Sequence, residues 1–473
     1  MSNSESNTAY HRYHIHTEEA PDIVLWPERF KTRVGKVGLA AHLLHEIWRT
    51  RADMDVVTSR PCMYGVYSGP IGGFWPRPEK CVACLRCTVE YSHFVKIIPN
   101  AKRRVLGDTY FSSEHVEALI YEAETGRVPV KGAGYRGAFG GEGWDGMWTD
   151  MSEIVRPTRD GIHGREFIST VVDIGEKPAY LSLNKGGGLA GHYPATIQLP
   201  LPMILDVPPD AVASSKLNKI YLAAAEELQT LAVLPVSDIL YDNLRSPALV
   251  PLVTADDFEA LAILPSTPLM LEMAGWDEGL YANIQRLYPQ TLVCLRTRFP
   301  SAEDLMKWAA AGVRVFHFTA DYHGKGRDGE FIIDLIRTVH QKLVDERVRD
   351  EYTLIGSGGI IAAEHVTKAI IVGLDAVALD TPLLVAMQGH LGHGRDELLG
   401  RRRGKCSLPR RMPPGWALQR ILNMCGAWRD QMLEMMGAMG LREVRRLRGE
   451  MGRAMFQEAL EREAFTGISG YEG

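Results

Sequence analysis

The densest group of chemically capable side chains is CVACLRC, in which Cys81, Cys84 and Cys87 follow a C-x2-C-x2-C spacing. Thiolates at this spacing on a tight turn can reach three irons of one iron–sulfur cluster. The bacterial ferredoxin run would supply a fourth cysteine shortly afterwards, but no cysteine stands there. Cys62, in SRPCMYG upstream, is the best candidate for a fourth metal ligand. A cluster with three cysteine ligands, a zinc site and a structural role without metal are the alternatives.

A second group of candidate residues lies in the stretch LIGSGGIIAAEHVTKAIIVGLDAVALDT. An apolar strand is followed at once by a glycine-containing turn and a helix, and a second apolar strand then ends at Asp380 and Thr381. The turn residues are Gly356, Ser357, Gly358 and Gly359. Glycines at such a turn let backbone N–H groups approach a phosphate, and the helix N-terminus adds a favourable dipole. A lone glycine turn would only connect strand and helix, but the paired second strand predicts a phosphate site.

Arg296 is a cation in an otherwise apolar run, TLVCLRTR, the fourth strand candidate of the chain. A charge inside the mouth of a barrel is costly unless it meets an anion. Arg296 therefore either faces the electron-rich edge of a flavin or forms a surface ion pair. No residue of the sequence stands out as a general acid, general base or nucleophile, so the catalytic residues are not assigned.

Two further patterns are weak. Gly132, Gly134 and Gly137 form a literal G-x-G-x-x-G, but AFGGEGWDGMW follows instead of a helix, so a nicotinamide site is not expected there. Three histidines lie on a polar terminus, where solvation is the simpler interpretation. They are His11, His14 and His16.

The elements that must position these residues alternate between short apolar runs and helical patterns from about 200 to 390. Units of this length build a parallel sheet covered by helices, and seven or eight of them predict a closed (β/α)8 TIM barrel, an α/β fold. The glycine turn and the Asp380 strand would then be the seventh and eighth units. We expect an N-terminal arm and helix over 1–60, an iron–sulfur segment and glycine-rich connector over 61–200, the barrel over 201–400 and a helical extension over 401–473.

Composition sets limits on function. The 473 residues include 53 Lys and Arg against 58 Asp and Glu, a net charge of −5. This balance gives no global positive field for nucleic acid or for an anionic membrane. No apolar stretch reaches the roughly 20 residues that a bilayer requires, and the polar N-terminus lacks a signal-peptide core. A cytoplasmic enzyme that acts on a small molecule fits best.

The motifs together resemble the FMN-binding domain of glutamate synthase in its archaeal-type arrangement, with a ferredoxin-like cysteine segment before the barrel. The resemblance covers roughly 78–470. It rests on CVACLRC, IYEAETGRVPVKGAGYRG, WDGMWTDMSEIVRPTRDGIHGREFISTVVDIG, GSGGIIAAEHVTKAIIVGLDAVAL and the tail MMGAMGLREVRRL.

The resemblance implies an electron path from an iron–sulfur centre, of the 4Fe-4S type, to FMN. The flavin would then reduce 2-iminoglutarate, formed from 2-oxoglutarate and ammonia, to glutamate. Gly358 and Gly359 match the family's FMN-phosphate strand, Asp380 and Thr381 its last phosphate-binding turn, and Arg296 a lysine beside the flavin. The expected partners are a redox subunit and a glutaminase subunit.

The sequence also departs from the family pattern. The first strand reads MILDVPP in place of Met-Ser-x-Gly, and the substrate-side glycine loops are altered. Of the three cysteines expected after the barrel only Cys406 remains, so a [3Fe–4S] cluster is not expected. Ser2 replaces the cysteine of an N-terminal glutaminase. The implied reaction is therefore the reduction of 2-iminoglutarate or a related imine or amine redox step. The alternative is a degenerate barrel that serves as an electron-transfer or scaffold subunit without its own substrate turnover.

Overall fold

The computed structural model describes residues 13–58, 62–68, 72–129, 140–149, 168–177, 182–188, 190, 196–392 and 405–466. The chain divides into two compact units. The cysteine unit comprises the described residues from Asp22 to Ala118 and Pro129. The barrel unit comprises the described residues up to Pro21, the segment Leu119–Val128 and the described residues from Gly140 onwards.

The cysteine unit is built around a two-stranded antiparallel sheet and short helices. Its strands and helices are β1 (Phe30–Val34), α1 (Lys36–Arg49), α2 (Met54–Thr58), α3 (Arg86–Glu90) and β2 (Val95–Pro99), with α4 (Ser113–Thr125) following. Strand β1 pairs with β2, with Phe30 opposite Pro99. Apolar periodicity from Val37 to Arg51 predicts a buried face on α1. The helix is present, but Val37, Leu44 and Trp48 on it are exposed.

Three short strands precede the barrel: β3 (Met147–Thr149), β4 (Val172–Gly175) and β5 (Thr196–Leu199). The eight barrel strands are β6 (Met203–Leu205), β7 (Ala232–Pro235), β8 (Leu249–Val253), β9 (Met270–Ala274), β10 (Leu292–Arg298), β11 (Val315–Thr319), β12 (Thr353–Ser357) and β13 (Ala376–Leu379). All neighbours are parallel, and β13 pairs with β6 to close the barrel. The predicted (β/α)8 TIM barrel is confirmed.

Helices cover the barrel from outside. They are α5 (Ser215–Glu227), α6 (Val236–Asp242), α7 (Glu278–Leu287), α8 (Ala302–Ala310), α9 (Ile332–Asp345), α10 (Ala363–Ile371) and α11 (Thr381–Ala386). Side chains that favour helix starts open several of them, because they satisfy amides that have no partner within the helix. Asp277 accepts from the amide of Leu280 at 2.7 Å, and Ser301 accepts from Asp304 at 3.2 Å.

One barrel strand was not foreseen. Strand β8 reads LVPLV, and its central Pro251 argues against a strand because proline cannot donate a ladder hydrogen bond. Two short 3-10 turns, Ala255–Asp257 and Ala260–Ile263, follow β8 where the other strands are followed by a helix. Arg296 therefore lies on the fifth barrel strand, and its assignment to the fourth was wrong.

The C-terminal part is helical, as predicted, but interrupted. It contains the hairpin of β14 (His390–Gly392) and β15 (Lys405–Ser407), then α12 (Pro414–Ala438), β16 (Ala454–Phe456) and α13 (Gln457–Phe465). Helix α12 packs on α5 and α10. Its Arg420 is fully buried and donates to the carbonyl oxygens of Ala386 at 2.5 Å and Ala20 at 2.8 Å. No helix in the described part of the chain is both long enough and apolar enough to span a bilayer.

Candidate functional site at the carboxyl end of the barrel

Charged and polar side chains from five strands meet inside the barrel near the carboxyl ends of those strands. Successive side chains of a strand alternate between the interior of a barrel and its helical shell. The strand register pairs Arg296 with His317 and Ser357 with Thr319. These side chains therefore lie on the face of their strands that points into the barrel, the interior set. In barrels of this type the carboxyl end is where active sites lie. The interior cluster consists of Asp206, Glu272, Arg296, His317 and Ser357.

Arg296 is held by two buried carboxylates. Its Nη1 and Nη2 donate to the two oxygens of Asp206 at 2.6 and 3.0 Å, and Nη1 lies 3.1 Å from Oε2 of Glu272. Burial alone would raise the pKa of both acids, but Arg296 and His317 outweigh it and hold both pKa values below the usual range. Arg296 is thus in an internal ion pair, not a surface one, and its contact with a flavin stays a prediction.

His317 connects the ion pair to Ser357. Its Nδ1 lies 2.8 Å from Oε1 of Glu272, and its Nε2 lies 3.0 Å from Oγ of Ser357. Glu272 and His317 are fully buried and Ser357 is 3% exposed. Nδ1 also lies 3.1 Å from Nη1 of Arg296, so His317 contacts both members of the ion pair. A carboxylate at one ring nitrogen and a hydroxyl at the other hold the imidazole in a fixed orientation.

The turn after strand β12 can be formed only with glycine. Gly358 has φ +92° and Gly359 has φ +69°, both in the left-handed region. A Cβ on Gly358 would lie 2.5 Å from the carbonyl oxygen of Ala320, so no side chain fits there. This turn brings backbone amides to the carboxyl end of the barrel directly before the nine-residue helix α10. Such a turn suits the phosphate of a nucleotide.

The segment Gly140–Thr149 packs against this turn. The indole of Trp144 is fully buried, donates to the carbonyl oxygen of Gly359 at 3.0 Å and stacks on His365 with ring centroids 4.4 Å apart. His365 Nδ1 in turn accepts from the amide of Ile361 at 3.1 Å. Trp144 and His365 therefore fix the conformation of the glycine turn from its outer side. In the same segment Trp148 is 48% exposed.

The eighth strand ends at Asp380, and Thr381 begins helix α11. Burial and the neighbouring Asp206 raise the pKa of Asp380 to about 6. The buried hydroxyl of Tyr221 lies near these two aspartates. Burial raises its pKa well above the usual value, and Cys406, Asp380 and Asp206 raise it further. That hydroxyl has no hydrogen-bond partner among the residues the structure describes. Buried polar atoms are normally paired, so this hydroxyl is a candidate donor to water or to a ligand.

The four candidate metal ligands line one small cavity in the cysteine unit. Cys62, Cys81, Cys84 and Cys87 surround it, together with Tyr67 among other residues. Cys81 is buried and the other three are partly buried, and all four are free thiols. The hydroxyl of Tyr67 lies 3.6 Å from Sγ of Cys87. In the described part of the chain no three acidic, histidine or cysteine side chains are close enough to hold a single metal ion.

The backbone of the cysteine loop has an uncommon conformation. Ala83 and Leu85, between the cysteines, have φ of +51° and +61°, a region that side chains other than glycine rarely adopt. Burial raises the pKa of the Cys81 thiol, and the other three cysteines raise it further, whereas the Ala83 amide lowers it by donating to the sulfur. Four sulfurs around one cavity and an amide aimed at one of them suit an iron–sulfur cluster, whose sulfurs accept such bonds.

The structure brings together most of the residues singled out from the sequence. Ser357 and Arg296 belong to the interior cluster, and the glycines and Asp380 lie around the same barrel end. Of the remaining cysteines, Cys294 and Cys425 are buried on a strand and a helix. His14 and His16 are exposed, as expected for a solvated terminus. The pattern at Gly132, Gly134 and Gly137 and the residue His11 lie outside the described residues.

Three residues of the interior cluster were missed: Asp206, Glu272 and His317. A signal was present, because each is the single polar residue in an apolar strand run, MILDVP, MLEMA or VFHFT. Such a residue on the interior set of a barrel strand requires a partner across the barrel.

Comparison with known sequences finds similarity to glutamate synthases. The sequence profile of the conserved region in glutamate synthase matches residues 328–442, which include the seventh and eighth barrel strands. An archaeal glutamate synthase [NADPH] of Archaeoglobus fulgidus is 33% identical over 124 residues, 24% of this chain and 23% of that protein. The archaeal-type glutamate synthase [NADPH] of Dehalococcoides mccartyi is 22% identical over 440 residues, 79% of this chain and 86% of that protein. The first of these matches thus spans about a quarter of the relative's length.

Similar solved structures include a mandelate oxidase variant with benzaldehyde. It is 14% identical, has a TM-score of 0.38, and covers 64% of this chain and 98% of its own. A flavocytochrome b2 variant with benzoylformate is likewise 14% identical, with a TM-score of 0.37 and coverage of 65% and 80%.

Proposed function

We propose that this chain is a divergent member of the glutamate synthase family and an FMN- and iron–sulfur-dependent oxidoreductase, a proposal supported by its similarity to glutamate synthases. Its reaction would be the reduction of 2-iminoglutarate, formed from 2-oxoglutarate and ammonia, to glutamate, or a related imine or amine redox step. The observation that carries the proposal is the glycine turn of Gly358 and Gly359, which lies within the matched region and at the end of the barrel where ligands bind.

The residues at the barrel end fit a flavin nucleotide in three respects. Gly358 and Gly359 in the turn offer amides and no side-chain bulk to a phosphate, and Thr381 offers a hydroxyl at the neighbouring strand end. The Tyr221 hydroxyl, which lies near Asp380 and has no hydrogen-bond partner among the described residues, would donate to a polar atom of the ligand. A bound FMN would supply hydride transfer, which no amino-acid side chain can perform.

The cysteine unit would supply electrons. Cys62, Cys81, Cys84 and Cys87 would hold a cluster of the 4Fe-4S type, since thiolates are the usual ligands of such clusters and four of them line one cavity. The Ala83 amide that donates to Cys81 would stabilise the thiolate state that ligation requires. We infer that a redox partner subunit feeds this cluster, and that ammonia or another amine comes from a glutaminase subunit or from solution in the cytoplasm.

A second candidate is favoured by the charge balance inside the barrel. Arg296 is bonded to both Asp206 and Glu272, so its charge is compensated before any ligand arrives. A dicarboxylate substrate would find no uncompensated cation within this cluster. The barrel could then serve as an electron-transfer or scaffold subunit that binds flavin without turning over its own substrate.

Two measurements on anaerobically purified protein test these proposals. A visible spectrum with flavin bands and a broad iron–sulfur shoulder supports both, whereas a colourless, zinc-containing protein refutes both. The dithionite-reduced protein is then mixed with 2-oxoglutarate and ammonium. Reoxidation of the flavin supports the glutamate synthase reaction, and a flavin that stays reduced favours the electron-transfer or scaffold subunit.

A further inference from the structure

We propose that a cavity at the amino end of the barrel binds a small oxyanion, namely inorganic phosphate or the phosphate group of a metabolite. The charged residues that line the cavity are Asp173, Lys177, Asp375, Arg445 and Arg448. The proposed flavin site lies at the carboxyl ends of the barrel strands, so the cavity is a second site. The inference does not depend on the proposed function.

The cavity lies where three separate segments of the barrel unit meet. Asp375 directly precedes strand β13, so it marks the amino end of the barrel. Lys177 follows strand β4, whose last residue Gly175 exchanges two hydrogen bonds with the Thr353 hydroxyl at the start of β12, at 2.8 and 3.1 Å. Arg445 lies in a short 3-10 turn after helix α12. An anion in this cavity would therefore join the connector and the C-terminal segment to the barrel.

The three cations of the cavity have N–H groups left for a ligand. Nε and Nη2 of Arg445 lie 2.8 and 2.9 Å from the two oxygens of Asp173. Lys177 donates from Nζ to Oδ1 of Asp375 at 2.9 Å, and Arg448 donates from Nη1 to the same oxygen at 3.0 Å. A lysine has three N–H donors and an arginine has five. Donors of all three cations therefore have no acceptor among the described residues.

The carboxylate of Asp375 is fully used by the groups around it. Its Oδ1 accepts from Lys177 and Arg448. Its Oδ2 accepts from Arg349 at 2.8 Å and from the amide of Leu354 at 2.9 Å. Burial alone would raise the pKa of Asp375, but the three cations outweigh it and hold that pKa far below the usual range. One carboxylate is thus shared by three cations, which leaves positive charge for a further anion.

Positive charge exceeds negative charge around the cavity. The cations are Lys177, Arg349, Arg445 and Arg448, and the carboxylates bonded to them are Asp173, Asp350 and Asp375. Asp350 is 80% exposed, so water screens much of its charge. Arg445, at 39%, is the most exposed of the four cations, and a ligand can enter from its side. Arginine suits phosphate in particular, because its planar guanidinium can donate to two phosphate oxygens at once.

The size and the remaining lining of the cavity also suit a phosphate group. The volume is about 130 Å³, whereas a single water molecule needs roughly 10–15 Å³. The four oxygens of a phosphate therefore fit. Apolar side chains, those of Val172, Ile370 and Val444, complete the lining. They keep the local dielectric constant low, which strengthens contacts between a bound anion and the cations.

The test is calorimetric titration at constant ionic strength with inorganic phosphate and, separately, with glycerol 3-phosphate. The protein is first loaded with FMN and freed of the excess, so that the glycine turn is occupied. Arg445→Gln removes a cation of the cavity, and Asp173→Asn removes the carboxylate that compensates it. Arg446→Gln is the matched control, because Arg446 is exposed in the same turn and does not line the cavity.

We expect the wild type to bind one phosphate group per chain. Arg445→Gln should weaken binding about tenfold or more, as expected for the loss of a hydrogen bond between charged groups. Asp173→Asn should strengthen binding, because Arg445 is then uncompensated, and Arg446→Gln should bind like the wild type. Binding of glycerol 3-phosphate alone also supports the site and identifies a phosphorylated metabolite as its ligand.

The proposal is overturned if neither compound binds or if Arg445→Gln binds as tightly as the wild type. It is also overturned if Asp173→Asn weakens binding as much as Arg445→Gln does, because the residues then serve only as an ion pair. A protein that takes up no FMN contradicts the proposed function and not this site. The flavin-free protein is then titrated, and the difference between Arg445→Gln and Arg446→Gln decides.

Discussion

The substitution Asp206→Asn tests whether the interior ion pair supports the barrel. Asp206 is 3% exposed and accepts two hydrogen bonds from Arg296, at 2.6 and 3.0 Å. Asparagine keeps the size of the side chain but removes its charge, and Arg296 is left with Glu272 alone. Breaking a buried pair by removing one partner costs about 3–5 kcal/mol, because the remaining charge loses its compensation. With a urea m-value of about 3 kcal/mol per molar, the unfolding midpoint should fall by about 1–1.7 M.

The assay is urea unfolding followed by circular dichroism at neutral pH. Asp173→Asn is the matched control, since Asp173 pairs with Arg445 at 2.8 Å where both side chains are partly exposed, at 29% and 39%. A pair of this kind contributes about 1 kcal/mol or less. If Asp206→Asn shifts the midpoint no more than Asp173→Asn does, the interior network does not stabilise the barrel and the reasoning is refuted.

Three other outcomes are expected. Cys62→Ser should lower the iron and sulfide content of anaerobically purified protein. Cys425→Ser, which replaces a cysteine buried in helix α12, should leave that content unchanged. If Cys62→Ser contains as much iron and sulfide as the wild type, Cys62 is not a ligand. Gly358→Ala should weaken FMN binding and cost about 1–3 kcal/mol of stability, because the φ of +92° at this position is strained for alanine. At Gly415 a Cβ would meet nothing within 4 Å, so Gly415→Ala should change neither FMN binding nor stability. Burial and Arg349 lower the pKa of His340 to about 4. Stability should therefore fall between about pH 6.5 and 4 by up to about 3 kcal/mol, and His340→Gln should remove that part of the dependence. If the stability of the wild type and of His340→Gln depends on pH in the same way, this prediction is contradicted.

The barrel could be predicted from the sequence because seven of its strands are apolar runs followed by turn and helix signals. The seventh and eighth strands were placed correctly from the glycine turn and from Asp380. Strand β8 could not be predicted, since Pro251 breaks the usual strand pattern and only the neighbouring strands show that the residue is tolerated there. Because β8 was not recognised as a strand, Arg296 was counted on the fourth barrel strand instead of the fifth.

The interior cluster shows the limit of sequence analysis more clearly. Asp206 and Arg296 are 90 residues apart, and their ion pair depends on the diameter and tilt of the barrel, which no local pattern encodes. The turn glycines could be identified because their requirement is local. The fixing of that turn by Trp144, 215 residues away from Gly359 in sequence, was not accessible. Local conformational requirements were thus predictable, and partners across the barrel were not.

The central claim is that the carboxyl end of the barrel holds FMN at the glycine turn. The most direct measurement is the FMN released per chain from protein purified anaerobically and then incubated with FMN. We predict stoichiometric FMN in the wild type and in Gly415→Ala, and a marked deficit in Gly358→Ala. A wild-type protein that contains no flavin and takes none up would contradict the claim.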